Sequence, residues 1–588
     1  MKEPSLERIQ EYIHKLCSFE QRVPGSENER LAGEYIRDLL SSFGFQDVRE
    51  ETFSIFGWNP IKCEVRVLQP VTKTIEAAVF PYSNSTTIKS GLVRLNHADT
   101  RSLEKTEGKI GLVPWGPHLY LSPMQSYFLA RKQGLGALLV AAPDEGDLRK
   151  VVVVEVGGEM ELPLICISKE DGEELRKLTE DSEVIIEIST TVERDENATS
   201  RNLEVVIKGA DDSSHQIIVG AHYDAFFKGA ADNAAPAAIV LELARIAKEY
   251  VDGGGSFSRT VRFLLYGAEE CGSTSYYYWV NGSRAYVEKN AEIVKNAIAV
   301  LSLDSVGFDA PNYVASTLDL MEFAKSLKVS MKKQPKVVHY GPPAYGSDHW
   351  FFELSGVPTM YGVSFPSPYY HTQKDTPENL DYHSVEFHAR FMSKALKELA
   401  HDGLLPHCLF SPLEEMESII SGYNSLKNNP FDLEIPLRKI RELLSLQKRF
   451  EKITKESVSK GDKKGIERAN QVIIDATHGY NRSIGWVWRK GAPRDVSYLS
   501  RLELIADYVD LNEAISDLRR MPVANLDAET VVRYKSQHDN PFNWVDVHEA
   551  LAHLESERSK VFSIVEQEIS ELVDFLDDIR DGIRSITE

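Results

Sequence analysis

No stretch of this chain is apolar for long enough to span a bilayer, which takes about 20 residues in a helix. The N-terminus has no apolar core of the kind a secretory leader needs, and Met1 to Gln21 reads as an amphipathic helix. These absences imply a cytoplasmic protein with no membrane partner, and they leave the sequons at Asn84, Asn197, Asn281 and Asn481 as chance occurrences. Cysteine is scarce. Cys17, Cys63, Cys166, Cys271 and Cys408 stand apart without CxxC spacing, which excludes a disulfide framework and a thiolate metal site. Positive charge is also short: 67 Lys and Arg face 89 Asp and Glu, a formal net charge of -22. That balance excludes nucleic acid as a partner.

What is present is apolar residue in quantity, 42% of 588, enough to bury large cores in roughly three or four domains. The run Ile217 to Val219 reads as a buried strand ending at a Gly-Ala step before His222 and Asp224. Asp232 follows a short loop and precedes a helical pattern, Ala237 to Tyr250, so it is expected at the helix N-cap. Two further apolar runs end the same way. Val261 to Ala268 runs into Glu269 and Glu270, and Ala297 to Leu303 runs into Asp304. His371 lies later, in a Pro-rich loop that continues to Asp375.

Parallel strands gather their carboxyl ends on one edge of a sheet. His222, Asp232, Glu269, Glu270, Asp304 and His371 can therefore converge. Packed together without a cation, these acids would repel one another and stay partly protonated. Two His and three carboxylates form a nitrogen/oxygen set suited to two divalent ions, zinc by preference. With Asp232 bridging, each ion keeps one His and one further carboxylate, and one acid is left to act as a base. That is the plan of a two-metal hydrolase, with a bridging metal-bound water as nucleophile.

The motifs His222-Tyr-Asp224, Gly229-Ala-Ala-Asp232-Asn233, Gly267-Ala-Glu269-Glu270, Leu303-Asp304, Ser347-Asp348-His349 and Tyr370-His371-Thr372 with Asp375-Thr376 resemble metallopeptidase family 28. This family holds the co-catalytic di-zinc aminopeptidases and their glutamate-carboxypeptidase relatives. The turn Arg22-Val23-Pro24-Gly25-Ser26, between two expected helices in residues 5–42, resembles the family's opening. The resemblance implies an α/β fold with a mixed, mostly parallel sheet flanked by helices. It implies that His222 and Asp304 hold one ion and Glu270 and His371 the other. Asp232 would bridge, Glu269 would be the general base, and Asp224 would orient His222. Tyr370 is a candidate to hydrogen-bond the developing oxyanion, or else an aromatic wall of the pocket.

Residues 1–76 and 195–403 are expected to form the peptidase domain. Residues 77–194 interrupt it with short β-rich runs and two helical stretches, and resemble a protease-associated domain; they carry no acid/His cluster, so no chemistry is expected of them. From residue 404 to 588 helical periodicity takes over. Phe562, Val565, Ile569, Leu572, Leu576, Ile579 and Ile583 recur at spacings of three and four, a heptad seam that either packs inside the chain or pairs two chains in a homodimer. This plan resembles the glutamate-carboxypeptidase and transferrin-receptor branch.

A metal-dependent exopeptidase acting on peptides is the expected function, an aminopeptidase before a carboxypeptidase. The loops Ala221–Ala235 and Tyr340–Asp381 contain no arginine to hold a substrate carboxylate, and they are rich in Phe226, Phe227, Tyr345, Trp350, Phe351, Tyr361, Phe365, Tyr369 and Tyr370. The alternatives are a glutamate-carboxypeptidase-like enzyme, a single-zinc acyltransferase of the glutaminyl-cyclase kind, and a receptor-like binding protein that has lost catalysis. The other histidines, His97, His215, His339, His388, His407, His478 and His538 among them, lack acid partners in any recognisable arrangement.

Overall fold

A computed structural model describes residues 1–95, 106–154, 160–210, 215–272, 279–329, 331, 336–338, 346–484, 503–520 and 547–587. Its centre is an eight-stranded sheet in the order Arg49–Ser54, Thr199–Ile207, Thr260–Tyr266, Gln216–His222, Ala297–Leu303, Thr359–Ser364, Asn312–Ser316, Lys336–Val338. The four middle strands run parallel. Antiparallel partners flank them on both sides. Gln216–His222 is buried along almost its whole length, as a strand covered by helices on both faces must be, and that is why it reads as a continuous apolar run.

One covering helix is Ala235–Asp252. Its small residues let it sit close to the sheet, and Pro236 occupies its first turn, where no N–H is missed. Asp232 does not cap it. Residues Ala230–Ala234 form one wide π turn, in which Asp232 has a non-helical φ of -121° and ψ of 86°. The N-cap is Ala234, two residues beyond the one expected from sequence, and the Asp232 carboxylate faces the strand ends. Helices Leu6–Cys17 and Glu27–Ser42 take their N-caps from Ser5 and Ser26, whose side chains accept from Arg8 N and Glu29 N.

The insertion is a closed barrel of seven strands, ordered Gly57–Gln69, Lys73–Val79, Leu164–Ile167, Ala137–Ala141, Ile110–Pro114, Thr86–Arg94, Ile185–Asp195. It begins near residue 57, not at 77. Gly57–Gln69 pairs antiparallel with Ile185–Asp195 from Gly57↔Asp195 to Gln69↔Ile185, so it belongs to the barrel and not to the eight-stranded sheet. A half-buried strand shows its alternation in sequence but not the sheet it joins, which is why the boundary falls elsewhere than expected.

The C-terminal helices include Glu434–Lys460, Lys463–Ile484, Glu503–Arg520 and the long Val547–Thr587. No described helix is long and apolar enough to cross a membrane. The seam on Val547–Thr587 is filled from within the chain. Val565, Leu572, Leu576, Ile579 and Ile583 are buried, Ile569 packs on the same core, and the Phe562 ring stacks on Phe431 at 5.1 Å. Helix Lys463–Ile484 meets this helix closely at Gly479, where an added Cβ would stand 1.8 Å from the Phe575 ring. Leu576→Glu places a charge at a position with no solvent exposure. It is expected to cost at least the ~2–5 kcal/mol of truncating a buried leucine and to lower the melting temperature. A variant that melts like the wild type would refute the internal seam.

Candidate metal centre

The carboxyl edge of the parallel strands carries the expected cluster. His222 closes its strand, Glu269 and Glu270 follow Thr260–Tyr266, and Asp304 follows Ala297–Leu303. Asp232 comes from the π turn and His371 from the loop beyond Thr359–Ser364. All six are buried. Their ligand-type atoms form two groups, His222 with Glu269 and Asp304, and Asp232 with Glu270 and His371, each within 4.8 Å. Asp232 lies between the groups: its Oδ1 is 3.4 Å from His222 Nε2 and its Oδ2 is 3.1 Å from His371 Nε2. Asp304 Oδ1 stands 3.5 Å from His222 Nε2, and Glu270 Oε2 stands 2.9 Å from His371 Nε2. Glu269 is the most distant, with Oε2 3.8 Å from His222 Nε2.

These separations fit a metal. Two ligand atoms at about 2.0–2.1 Å from a tetrahedral zinc stand roughly 3.3–3.4 Å apart. His222 Nε2 and Glu270 Oε1 are buried without a hydrogen bond, a costly state unless an ion takes them. The electrostatics agree. Burial pushes the Glu270 carboxyl up to about 7, with repulsion from Asp232 adding to it. Burial also holds Glu269 well above its ordinary range, with Asp304 and Glu270 adding to the shift. Burial opposes charge on His371, but Glu270 and Asp232 outweigh it and raise the ring to about 10. Divalent cations would relieve this crowding.

Backbone and second groups fix the ligands. The Asp224 carboxylate accepts the N–H groups of Glu269 at 3.0 Å and Glu270 at 2.9 Å. His222 Nδ1 stands 3.2 Å from the Asp224 main-chain carbonyl and 3.5 Å from its Oδ1. Asp224 therefore acts on three residues, His222 among them. Asp375 accepts from Ala231 N at 2.7 Å and Asp232 N at 3.0 Å. Glu29 accepts from Gly25 N at 2.7 Å and Ala268 N at 3.2 Å, at the turn that enters Glu269. Burial pushes Glu29 up to about 8, with Asp224 adding. The buried Arg22 guanidinium donates to the carbonyls of Tyr223, Lys228 and Gly229, tying down the loop between His222 and Asp232. Gly229 has φ +48°, and a Cβ there would stand 2.2 Å from Asp232 O.

The barrel also reaches this edge. His371 Nδ1 lies 3.0 Å from the carbonyl of Val151, whose N–H donates to His371 O at 3.1 Å. An imidazole that donates Nδ1–H to a carbonyl presents Nε2 as the ligand atom. Leu119, Tyr120 and Val153 join Glu269, Glu270, Trp279, Asp304, Tyr361, Val363, Phe365, Tyr370 and His371 around a cavity of about 530 Å³. The insertion, from which no chemistry is expected, thus supplies part of the cavity lining. Its contributions are a main-chain carbonyl, a phenol and apolar walls, none of which has a motif.

Tyr370 stacks on His371 with ring centroids 3.8 Å apart. His349 is buried and stacks on Tyr361 at 4.3 Å. The Asp348 carboxylate is buried, and burial raises it to about 7. Phe226 packs edge-on against His371. Burial pushes the Cys271 thiol well up, with Asp224 and Glu270 adding to the shift. His388, His407 and His478 are buried against carbonyls, and burial lowers each to about 4, the behaviour of structural histidines. Tyr345, His97, His339 and His538 lie outside the described residues.

Comparison with known proteins agrees with this geometry. Residues 202–396 match peptidase family M28. Aminopeptidase YwaD of Bacillus subtilis is 26% identical over 311 residues, 50% of this chain and 62% of that protein. A glutamate carboxypeptidase 2 homolog of Caenorhabditis elegans is 25% identical over 46% of this chain and 42% of its own length. The matches thus span less than two thirds of either relative. In fold, the zinc aminopeptidase BSAP of Bacillus subtilis superposes with a TM-score of 0.55 at 21% identity, covering 68% of this chain and 97% of that one. The aminopeptidase of Aneurinibacillus sp. strain AM-1 gives 0.51 at 23% identity, covering 68% and 95%. Residues 202–396, the part of this chain that matches peptidase family M28, carry the whole strand-end cluster.

Proposed function

We propose that the protein is a two-metal aminopeptidase that removes apolar or aromatic N-terminal residues from peptides. The observation that carries this reading is the lining of the cavity. Among the described residues it holds three carboxylates, Glu269, Glu270 and Asp304, and no Arg or Lys. A substrate ammonium finds acceptors there, whereas a substrate carboxylate finds no guanidinium. Leu119, Val153, Trp279, Val363 and Phe365 line the same space and would enclose an apolar side chain.

Residues His222, Asp304, Asp232, Glu270 and His371 would hold two divalent ions, which supply Lewis acidity toward the scissile carbonyl and toward water. Glu269 takes the proton of the attacking water and returns it to the departing amine. Asp224 and Glu29 hold the main chain that presents Glu269. The Tyr370 hydroxyl, on the cavity wall, donates to the carbonyl oxygen as charge develops there. The barrel at residues 57–195 is read as a protease-associated domain whose role is to complete this cavity, with the helical region after residue 404 as a third unit.

A panel of short peptides tests the reading, with free or acetylated N-termini and free or amidated C-termini. Cleavage is expected to stop on acetylation and survive amidation, and Leu or Phe in first position is expected to be preferred. Cleavage that survives acetylation but stops on amidation would establish a carboxypeptidase instead.

A further inference from the structure

Tyr120 belongs to the barrel, and its hydroxyl lies 2.7 Å from the hydroxyl of Tyr370 in the peptidase domain. Both rings are held by their faces. Tyr120 stacks on Trp279 with centroids 6.3 Å apart and planes 15° apart. Tyr370 lies on His371 and meets Phe308 and Phe365 edge-on. The Tyr370 ring is thus packed against three rings, Tyr120 rests on Trp279 while 41% exposed, and what remains to be set is which hydroxyl donates. A bond between two phenols uses one of the two protons. If Tyr370 donates to Tyr120, its proton is committed and cannot meet a substrate. If Tyr120 donates, the Tyr370 oxygen is the acceptor and its own proton is free for the cavity. Accepting a hydrogen bond also makes a hydroxyl a better donor.

We propose that Tyr120 is a positioning residue for the reaction: its hydroxyl donates to Tyr370 and turns the Tyr370 proton toward the substrate carbonyl oxygen. This rests on the aminopeptidase reading above. It gives the inserted barrel a part in turnover through a side chain that coordinates nothing and takes no proton from the substrate.

The test is a double-mutant cycle on the full-length, zinc-loaded protein with leucine p-nitroanilide as substrate. Tyr370→Phe is expected to lower kcat by roughly 10²–10³-fold, the usual effect of losing one oxyanion donor. Tyr120→Phe, which removes one oxygen and keeps the stacked ring, is expected to lower kcat by about 5- to 10-fold, with KM, metal content and melting temperature unchanged. In the Tyr370→Phe background, Tyr120→Phe is expected to add nothing, because the group it positions is gone. A merely structural role would shift KM or metal content and would persist in that background. Should Tyr120→Phe turn over like an active wild type, or multiply with Tyr370→Phe, this proposal is overturned while the peptidase reading stands. A zinc-loaded wild type without peptidase activity overturns both.

Discussion

Glu269→Gln is expected to abolish most turnover and to leave the metals in place. Gln keeps the shape and polarity of the side chain but cannot take a proton. A base within reach of the attacking water contributes roughly 10²–10⁴-fold, and kcat should fall by that range. Glu269 lines the cavity, and its carboxylate is the most distant of the cluster from the histidine nitrogens, at 3.8 Å from His222 Nε2. Glu270 differs. Its Oε2 lies 2.9 Å from His371 Nε2 and its Oε1 is buried without a partner, the placement of a ligand. Glu270→Gln should therefore lose an equivalent of metal by elemental analysis, and activity with it. The Glu269 assignment fails if Glu269→Gln works at a near-native rate. If Glu269→Gln itself loses an equivalent, Glu269 completes the first ion's shell beside His222 and Asp304.

Removing the metals should have a second large effect, on stability. Each divalent ion held at a concentration a thousandfold above its Kd stabilises the folded state by about 4 kcal/mol. A chelator should therefore abolish activity and lower the melting temperature, and zinc should restore both. The size of the drop should depend on pH in a fixed direction. In the metal-free protein Glu270 is raised from 4.5 to about 7 and His371 from 6.5 to about 10. Both groups hold protons more tightly in the folded than in the unfolded chain. Their contribution to stability is complete below the ordinary value of each and is lost as pH rises through 7 and then toward 10. Metal binding runs the other way, because ligands must be deprotonated before they coordinate. The difference in melting temperature between zinc-loaded and chelated protein should widen between about pH 5 and about pH 8. A difference that narrows over that range would show that His222, Asp232, Glu270, Asp304 and His371 do not hold the ions.

The cluster was legible in the sequence because its members sit where secondary structure changes. His222, Glu269, Glu270 and Asp304 each follow an apolar run, and parallel strands bring such ends together. Asp232 was legible as a member of the cluster but not in its local form, since the π turn that carries it has no sequence signal distinct from an N-cap. Asp375 and Arg22 were visible in the motifs, yet their work is to satisfy main-chain groups of a loop distant in sequence. Such partners are set by the fold and not by spacing. The barrel's share was least legible of all. Val151 acts through its carbonyl, which every residue possesses, and Tyr120 is an ordinary tyrosine until the barrel closes and carries it to Tyr370. The seam on Val547–Thr587 had the right period for a coiled coil, but period cannot say whether the facing helix belongs to the same chain.

The place where the barrel is inserted bears on how the chain folds. Arg49–Ser54 pairs antiparallel with Thr199–Ile207 from Ser54↔Thr199 onward, so these strands form a hairpin whose turn is the entire barrel. Pairing them directly from an open chain would mean closing a very long loop before any contact rewards it. Once Gly57↔Asp195 and the rest of the barrel ladder have formed, the two strand ends are already side by side. The barrel ladder thus shortens the loop that has to close before the edge of the eight-stranded sheet can pair, and it does so in a unit that holds none of the six clustered residues.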